Sequence, residues 1–536
     1  MGATNFIMNR ILPGGAAQQP PVLEKLSRRD KWRIAGAMMA GKMLGLFAVI
    51  IAMGLLPGFL GMPAHAQAAA ADAYTAHETT LINTANTIWT LLAAFLVFGM
   101  QPGFVFLEAG FARKRETVNV LMECIFDTCL CGILFWAVGY AFMFSEGNGF
   151  IGYHWFFLNG APETYGATGI PILAHWIFQF AFADTTSTVT SGAMIGRTSF
   201  RGDILYSIGV TGFIYPIIGH WAWGPDGFLA LMGTPGHFLP GLGQGFRDFA
   251  GSTVVHTIGG MVSLAGAIVL GPRLGRVFKR DGGGMPAPHN LTVAAVGGFI
   301  LWFGWYGFNP GSTLSAVDMQ GIGRVAANTT LAACAAGISA MAIAFYIGDT
   351  KGKFDLAYTT NGFLGGLVAI TCPCYWVSPL GAILIGFLAG FVAWAVLNLL
   401  EHWRVDDPIG AVAVHGGCGI FGTLSLGLFA SGQYGVTGPL GADNSAPVTG
   451  LFYGGGFGVL EAQAIGSLTV TVATLAVSFA LFGIISKLPY PWKLRVEPHG
   501  ETGPGGLDMF EHGTEAYPSQ TTGVSMPADL QEALQA

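Results

Sequence analysis

Charge is what this chain has least of. Asp, Glu, Lys and Arg make up 10% of its 536 residues, with a formal net charge of -6, whereas roughly a quarter is usual for a soluble domain. That scarcity excludes an ordinary water-soluble protein. The sign of the balance excludes a nucleic-acid partner, which would require a basic surface. Cysteine is scarce too: the seven residues show no metal-ligand spacing, and the close pair Cys372-Pro-Cys374 reads as buried, inert thiols. Nucleophile–base sets, metal clusters, nucleotide-binding motifs and kinase motifs are all missing, so neither an enzyme nor a cofactor is expected.

What is there complements these absences. Hydrophobic residues account for 52% of the chain and glycine for 81 positions, with a mean hydropathy of +0.55. The composition is that of an all-α polytopic protein of the lipid bilayer, in which small residues let helices approach closely. Eleven apolar spans are expected, over 84–106, 119–144, 171–196, 203–224, 250–270, 290–308, 322–347, 358–376, 378–399, 408–430 and 459–487. Cationic residues occupy alternate loops: Arg113 to Arg115, Arg197 and Arg201, Arg273 to Arg280, Lys351 and Lys353, and Arg404, then Lys487, Lys493 and Arg495. The positive-inside rule then gives an outside N-terminus and a cytoplasmic C-terminus. Residues 1–66 read as a signal or targeting segment, with Lys25, Arg28, Arg29, Lys31 and Arg33 ahead of an apolar run and Ala64-His65-Ala66 as the cleavage site. Retention of that run as an extra membrane helix is the competing reading. The domain plan is therefore 1–66 targeting, 80–487 membrane domain and 488–536 cytoplasmic tail.

One stretch organises the rest. Asp248-Phe-Ala-Gly251-Ser-Thr-Val-Val255-His256 is followed much later by Asp407-Pro-Ile-Gly410-Ala-Val-Ala-Val414-His415, with Asp, Gly, Val and His at matching offsets. At ~1.5 Å per residue an acid at the helix start places its histidine roughly 12 Å deeper, near the middle of the bilayer. The two helices are the fifth and tenth spans, so two inverted five-helix repeats plus an eleventh helix are expected, with the site where the repeats meet. His256 and His415 could share one proton, one ring nitrogen donating and the other accepting. Asp248 and Asp407 read first as helix N-caps, with Asp248 also able to enrich cations at the outer side.

The remaining candidates are weaker one by one. Trp223 closes the fourth span and offers a cation–π face or an interfacial anchor. Phe178 and Phe182 stand one turn apart on the third span, as core packing or a hydrophobic constriction. The sixth span ends Leu301-Trp-Phe-Gly-Trp305-Tyr-Gly-Phe308-Asn-Pro-Gly-Ser312, where Ser312 supplies an acceptor at the outer mouth.

Taken together these motifs, with Gly506-Leu-Asp-Met-Phe-Glu-His512-Gly-Thr-Glu-Ala-Tyr517 in the tail, resemble the ammonium transporter family (Amt/Mep/Rh) from about residue 80 to 517. The resemblance implies a homotrimer with one narrow pore per subunit in the bacterial inner (plasma) membrane, carrying ammonium, ammonia and methylammonium. It assigns Trp223, Phe182 and Ser312 to an outer recruitment site, and Phe178 and Phe182 to a stacked gate. His256 and His415 become the pore pair, Trp305 and Leu301 pore-wall positions, and Asp248 a support behind the recruitment site. It also implies a PII-type signalling protein (GlnK) at the tail and the basic loop Arg273 to Arg280. The chain departs from the best-known bacterial members at Leu107-Glu108, where they carry Phe-Tyr. Glu108 reads either as an acid touching the pore or a neighbouring helix and altering proton handling or, the preferred reading, as a partner of Arg113 or Lys114 near the inner surface, while Asp127 and Asp184 are expected to make helix–helix hydrogen bonds.

A full charge is costly in an apolar pore. Ammonium can lose a proton and pass as ammonia; potassium has no such route. Two other readings are an ammonium sensor with little flux and an ion-coupled symporter of another small amine.

Overall fold

A computed structural model describes residues 73–517 apart from 167, 243–244, 349–351 and 433–446. The expected targeting segment and the end of the tail lie outside the described residues. In chain order the long helices are α1 (His77–Phe111), α2 (Lys114–Phe144), α3 (Ile172–Gly192), α4 (Phe200–Trp223), α5 (Ser252–Leu270) and α6 (Leu291–Thr313), then α7 (Met319–Tyr346), α8 (Leu356–Thr371), α9 (Pro379–Trp403), α10 (Val412–Phe429) and α11 (Gly458–Ser486). Among the described residues nine of these are long and apolar enough to cross a membrane. The other two, α3 and α8, occupy the third and eighth expected spans. α3 fails on composition, because its second half reads Asp184-Thr-Thr-Ser-Thr-Val-Thr-Ser191. α8 is only 16 residues long. Both are nevertheless enclosed: every residue from Ala181 to Gly192 and from Thr360 to Thr371 is buried.

Glycine sets how closely the helices approach. α1 runs along α6, and a Cβ on Gly110 would lie 2.4 Å from the Ala294 amide nitrogen, while one on Gly297 would lie 2.3 Å from that of Leu107. Backbones this near gain dispersion contacts, which matter most in lipid, where apolar burial alone gives no preference for protein over tails. α7 packs along α8 and α9, and α11 lies against α5 and α10. Large apolar side chains on the outer faces, such as Ile133, Phe299, Phe303, Leu380, Leu468 and Ile484, are exposed, as a bilayer requires. Between α2 and α3 two small antiparallel pairs, Gly147–Asn148 with Ile151–Gly152 and Thr164–Tyr165 with Ile170–Pro171, roof one end of the bundle.

The other end is closed by ions and by the tail. Asp406, just before α10, accepts from Arg273 at 2.8 and 2.9 Å and from Arg276 at 3.2 Å, and its carbonyl accepts from Arg197 at 2.6 Å. Burial alone would raise its carboxyl, but the Arg273 hydrogen bonds and the charges of Arg197 and Arg273 hold it well below the usual carboxylate range. Arg276 also binds Glu401. The expected basic docking loop is thus partly spent: two of its arginines face inward. The tail adds its backbone to the α3–α4 link through Ser199 N to Leu494 O at 2.9 Å and Val496 N to Arg197 O at 3.0 Å. Asp508 then accepts from the Asn119 amide at 3.0 Å, a carboxylate at the first turn of the α2 helical run, where the dipole favours it.

Candidate functional site

The duplicated motif folds the same way twice. Asp248 precedes α5 and accepts from the amides of Gly251, Thr253 and Val254 at 3.2, 3.0 and 2.8 Å. Asp407 does the same for Gly410, Ala411 and Val412 at 3.2, 3.0 and 2.9 Å. Both are caps, and the Asp248 carboxylate is fully engaged by backbone. Gly251 and Gly410 then take φ of +110° and +85°, a region open to glycine and strained for other residues. Each turn is followed by a π-helical stretch, Ser252–Thr257 and Val412–Gly417, that carries the histidine. Such wide turns are frequent at functional sites because they re-aim a side chain without ending the helix.

The two histidine helices meet reciprocally. A Cβ on Gly260 would lie 2.2 Å from the Gly416 amide nitrogen; one on Gly419, at the equivalent position of the second repeat, would lie 2.6 Å from the Ser252 carbonyl and 3.1 Å from the Thr257 amide nitrogen. Gly416 and Thr257 are themselves equivalent positions, each next to its histidine. This exchange of contacts is what a two-fold relation between the repeats produces. It brings His256 Nδ1 to 3.1 Å from His415 Nδ1, with both rings buried. Trp305 and Phe308 of α6 stack on His256, each with centroids 5.3 Å away, and the Trp305 indole N–H is tied to Thr371 Oγ1 at 3.0 Å. Leu301, a turn earlier on α6, is buried with its side chain against Gly103 of α1.

On the roofed side lies a cavity of about 460 Å³ lined by Trp223, Phe178, Phe182, Ser312 and Tyr165 among others. The four residues expected at the mouth are therefore brought together. Ser312 donates its hydroxyl to the Phe308 carbonyl at 2.8 Å, which leaves its lone pairs for a cation or an N–H donor. The Trp223 indole N–H is anchored on the Asp248 carbonyl at 2.8 Å, so Asp248 does stand behind this residue, through its backbone rather than its charge.

Two sequence expectations need correction, and a third holds in part. Phe178 and Phe182 touch at 4.7 Å but are tilted by 48°; the stacked ring pair is Phe182 with Phe308, at 4.0 Å and 25°. Phe308 stands inside the motif already read on α6, yet spacing on one helix could not reveal a stack formed between two. Glu108 pairs with neither Arg113 nor Lys114: it is buried and accepts from Ser191 at 3.1 Å, while Arg113 pairs with Glu116. Asp127 does accept across helices, from Ser187 at 3.4 Å, and Asp184 faces Thr128 of α2, though without a hydrogen bond of standard geometry. The cysteines of the Cys372-Pro-Cys374 pair are free and buried.

A cavity with aromatic and hydroxyl walls, an aromatic stack and a buried imidazole pair between inverted repeats define a polytopic membrane transporter. The sequence profile of the Ammonium Transporter Family matches residues 88–517, and the chain belongs to that family. It is 42% identical over 436 residues to ammonium transporter Amt2 of Archaeoglobus fulgidus, covering 81% of this chain and 88% of that one. It is 36% identical to ammonium transporter 1 member 3 of Solanum lycopersicum, covering 82% and 94%. Among solved structures it resembles a sensor Amt protein (33% identity, TM-score 0.69, covering 81% of this chain and 99% of the other) and Saccharomyces cerevisiae Mep2 (26%, 0.71, 82% and 94%).

Proposed function

We propose that this protein moves ammonium across a bacterial plasma membrane, taking it up as the cation and passing it through the pore as ammonia. The observation that carries the reading is the imidazole pair held at 3.1 Å directly beneath the aromatic stack. Trp223, Phe182 and Ser312 hold the cation in the cavity through the indole face, the ring edge and the hydroxyl oxygen. The Phe182–Phe308 stack, with Phe178 above it, excludes hydrated ions. Beyond it a full charge has no counter-ion, whereas ammonia keeps a hydrogen bond to the histidines and slides past Trp305 and Leu301. Potassium is close to ammonium in size but cannot shed a proton, and it is refused. Methylammonium is the accepted analogue.

Family membership supports a homotrimer with a pore in each subunit, and the alternating basic loops support a cytoplasmic tail. A PII-type partner would meet that tail and the outward-facing Arg280 and Arg404. A sensor with little flux is the second reading, favoured by the likeness to the solved sensor Amt protein. Current and internal pH recorded in proteoliposomes after an ammonium jump, against a potassium jump, test the proposal. Ammonium-only signals support transport, and their loss in Trp223→Ala supports the recruitment site. A His256→Asp, His415→Asp double variant with unchanged selectivity would count against the imidazole pair, and silence of the wild type would favour the sensor.

A further inference from the structure

Beside the pore, five carboxyls are sealed between α1, α2, α3 and α4. Glu108, Glu123, Asp127, Asp184 and Asp203 are each at most 2% exposed. Asp127 lies within electrostatic reach of the other four, and among the described residues none of the five forms an ion pair. An isolated buried carboxylate costs several kcal/mol, and neighbouring ones repel. Taking up protons relieves both costs, so the cluster is a place where protons can be bound and handed on.

An independent feature faces it. The α3 run Thr185 to Ser191 presents six buried hydroxyls in seven residues, and three of them reach outward from α3: Ser187 to Asp127 at 3.4 Å, Ser191 to Glu108 at 3.1 Å, and Thr188 to Gln101 at 3.1 Å. The Ser207 hydroxyl of α4 is directed at Asp127 and the Thr128 hydroxyl of α2 at Asp184 without a well-formed bond, and among the described residues the Gln101 amide nitrogen, one oxygen each of Glu108, Asp127 and Asp203, and both of Asp184 make no hydrogen bond of standard geometry. This is capacity for moving an O–H from one oxygen to the next. Towards the tail, Glu123 accepts from the Asn119 side-chain N–H at 2.8 Å, and Asn119 Oδ1 lies 3.0 Å from Nε2 of the half-buried His512, so this amide ties the end of the file to the tail without itself relaying a proton. At the other end Asp184 stands two residues after the gate residue Phe182, about 200° around the helix and so on the side away from the ring. The other ionisable groups packed on the set are Cys124, Cys131, Tyr206, Asp508 and Glu511.

We propose that Asp184, Asp127, Asp203, Glu108 and Glu123 form a proton-carrying file parallel to the pore, ending at Glu123 beside the tail, which moves the proton that ammonium leaves behind. The inference rests on the transport reading above. Ammonium breaks one N–H bond to give ammonia; the proton forms an O–H bond in the file. Each hop breaks one such bond as the next forms, and the last proton passes to water at the tail side. One ammonia and one proton arrive separately, with one net charge and no redox partner.

Asp127→Asn separates the file from the pore, since an amide copies the shape of a protonated carboxyl and still accepts from Ser187 but cannot relay a proton. The full-length protein in vesicles, given an ammonium jump with current and pH dye read together, should keep its ammonia flux while the current falls to that of protein-free vesicles. A wild-type ratio of current to flux in Asp127→Asn overturns the proposal, as does a wild type that moves ammonia without current. If Asp127→Asn loses both signals, Glu108→Gln is read in the same way: flux without current supports the file, and an unchanged ratio overturns it. A wild type that moves neither species sinks the transport reading instead.

Discussion

A methyl group on Gly260 tests whether the glycine crossing holds the imidazole pair together. The added carbon would lie 2.2 Å from the Gly416 amide nitrogen and 2.5 Å from its Cα, where ordinary contact begins at 3.4 Å. These are backbone atoms, so no rotamer change relieves the clash, and α5 and α10 must part by about 1.2 Å. Gly416 is the residue after His415, so the 3.1 Å Nδ1–Nδ1 contact opens to about 4 Å, beyond hydrogen-bond reach. Overpacking of this kind costs about 1–3 kcal/mol, and a misplacement of about 1 Å at a reacting centre costs about a hundredfold in rate. Gly260→Ala should therefore lower both the thermal midpoint in detergent and the ammonia flux per unit of reconstituted protein. Gly483→Ala on α11 is the control, since its methyl meets nothing within 4 Å; it should match the wild type or gain the about 0.5–1 kcal/mol of better helix propensity. A Gly260→Ala protein with wild-type midpoint and flux would refute the argument that this crossing sets the histidine geometry.

Asp407→Ala leaves three capped amides without their acceptor and should cost about 1–2 kcal/mol, seen as a lower denaturation midpoint, while Asp407→Asn recovers part of it. Phe308→Ala opens the ring stack and should raise potassium leak across vesicles more than Phe178→Ala; the reverse order would return the gate to the Phe178 pair. Asp406 is held below its ordinary value, so its stabilisation is complete above the unfolded pKa of about 3.9 and is lost as pH falls below that towards the depressed folded value. Asp406→Asn should accordingly lower the thermal midpoint at neutral pH and converge on the wild type in strong acid. A constant gap at all pH values would contradict the ion-pair origin.

The repeat was legible in the sequence because its signal is discrete. Asp, Gly and His recur at fixed offsets, and an intramembrane histidine is too costly to be incidental. That Trp223 and Ser312 line one cavity was legible for a related reason, since both end spans and helix ends gather at one side. The π-helical turns left no mark, because no residue type demands them; they are fixed by contacts with the opposite repeat. The Phe182–Phe308 stack was hidden because it joins helices far apart in sequence. Glu108 misled for a local reason: Arg113 and Lys114 follow it closely, and only the packed helices show that the chain turns Glu108 towards Ser191 and gives Arg113 to Glu116.

The two helices that fall short of an ordinary membrane span, α3 and α8, are the third members of their respective repeats. Neither has enough apolar length to partition stably into lipid alone, and their polar or short segments are satisfied only by neighbouring helices. The order of biosynthesis is thereby constrained. Each must wait in the insertion machinery, or enter together with flanking helices, until the partners that enclose it have emerged from the ribosome. Because the shortfall recurs at the same place in both halves, the duplication copied an assembly dependency along with the Asp–Gly–His motif.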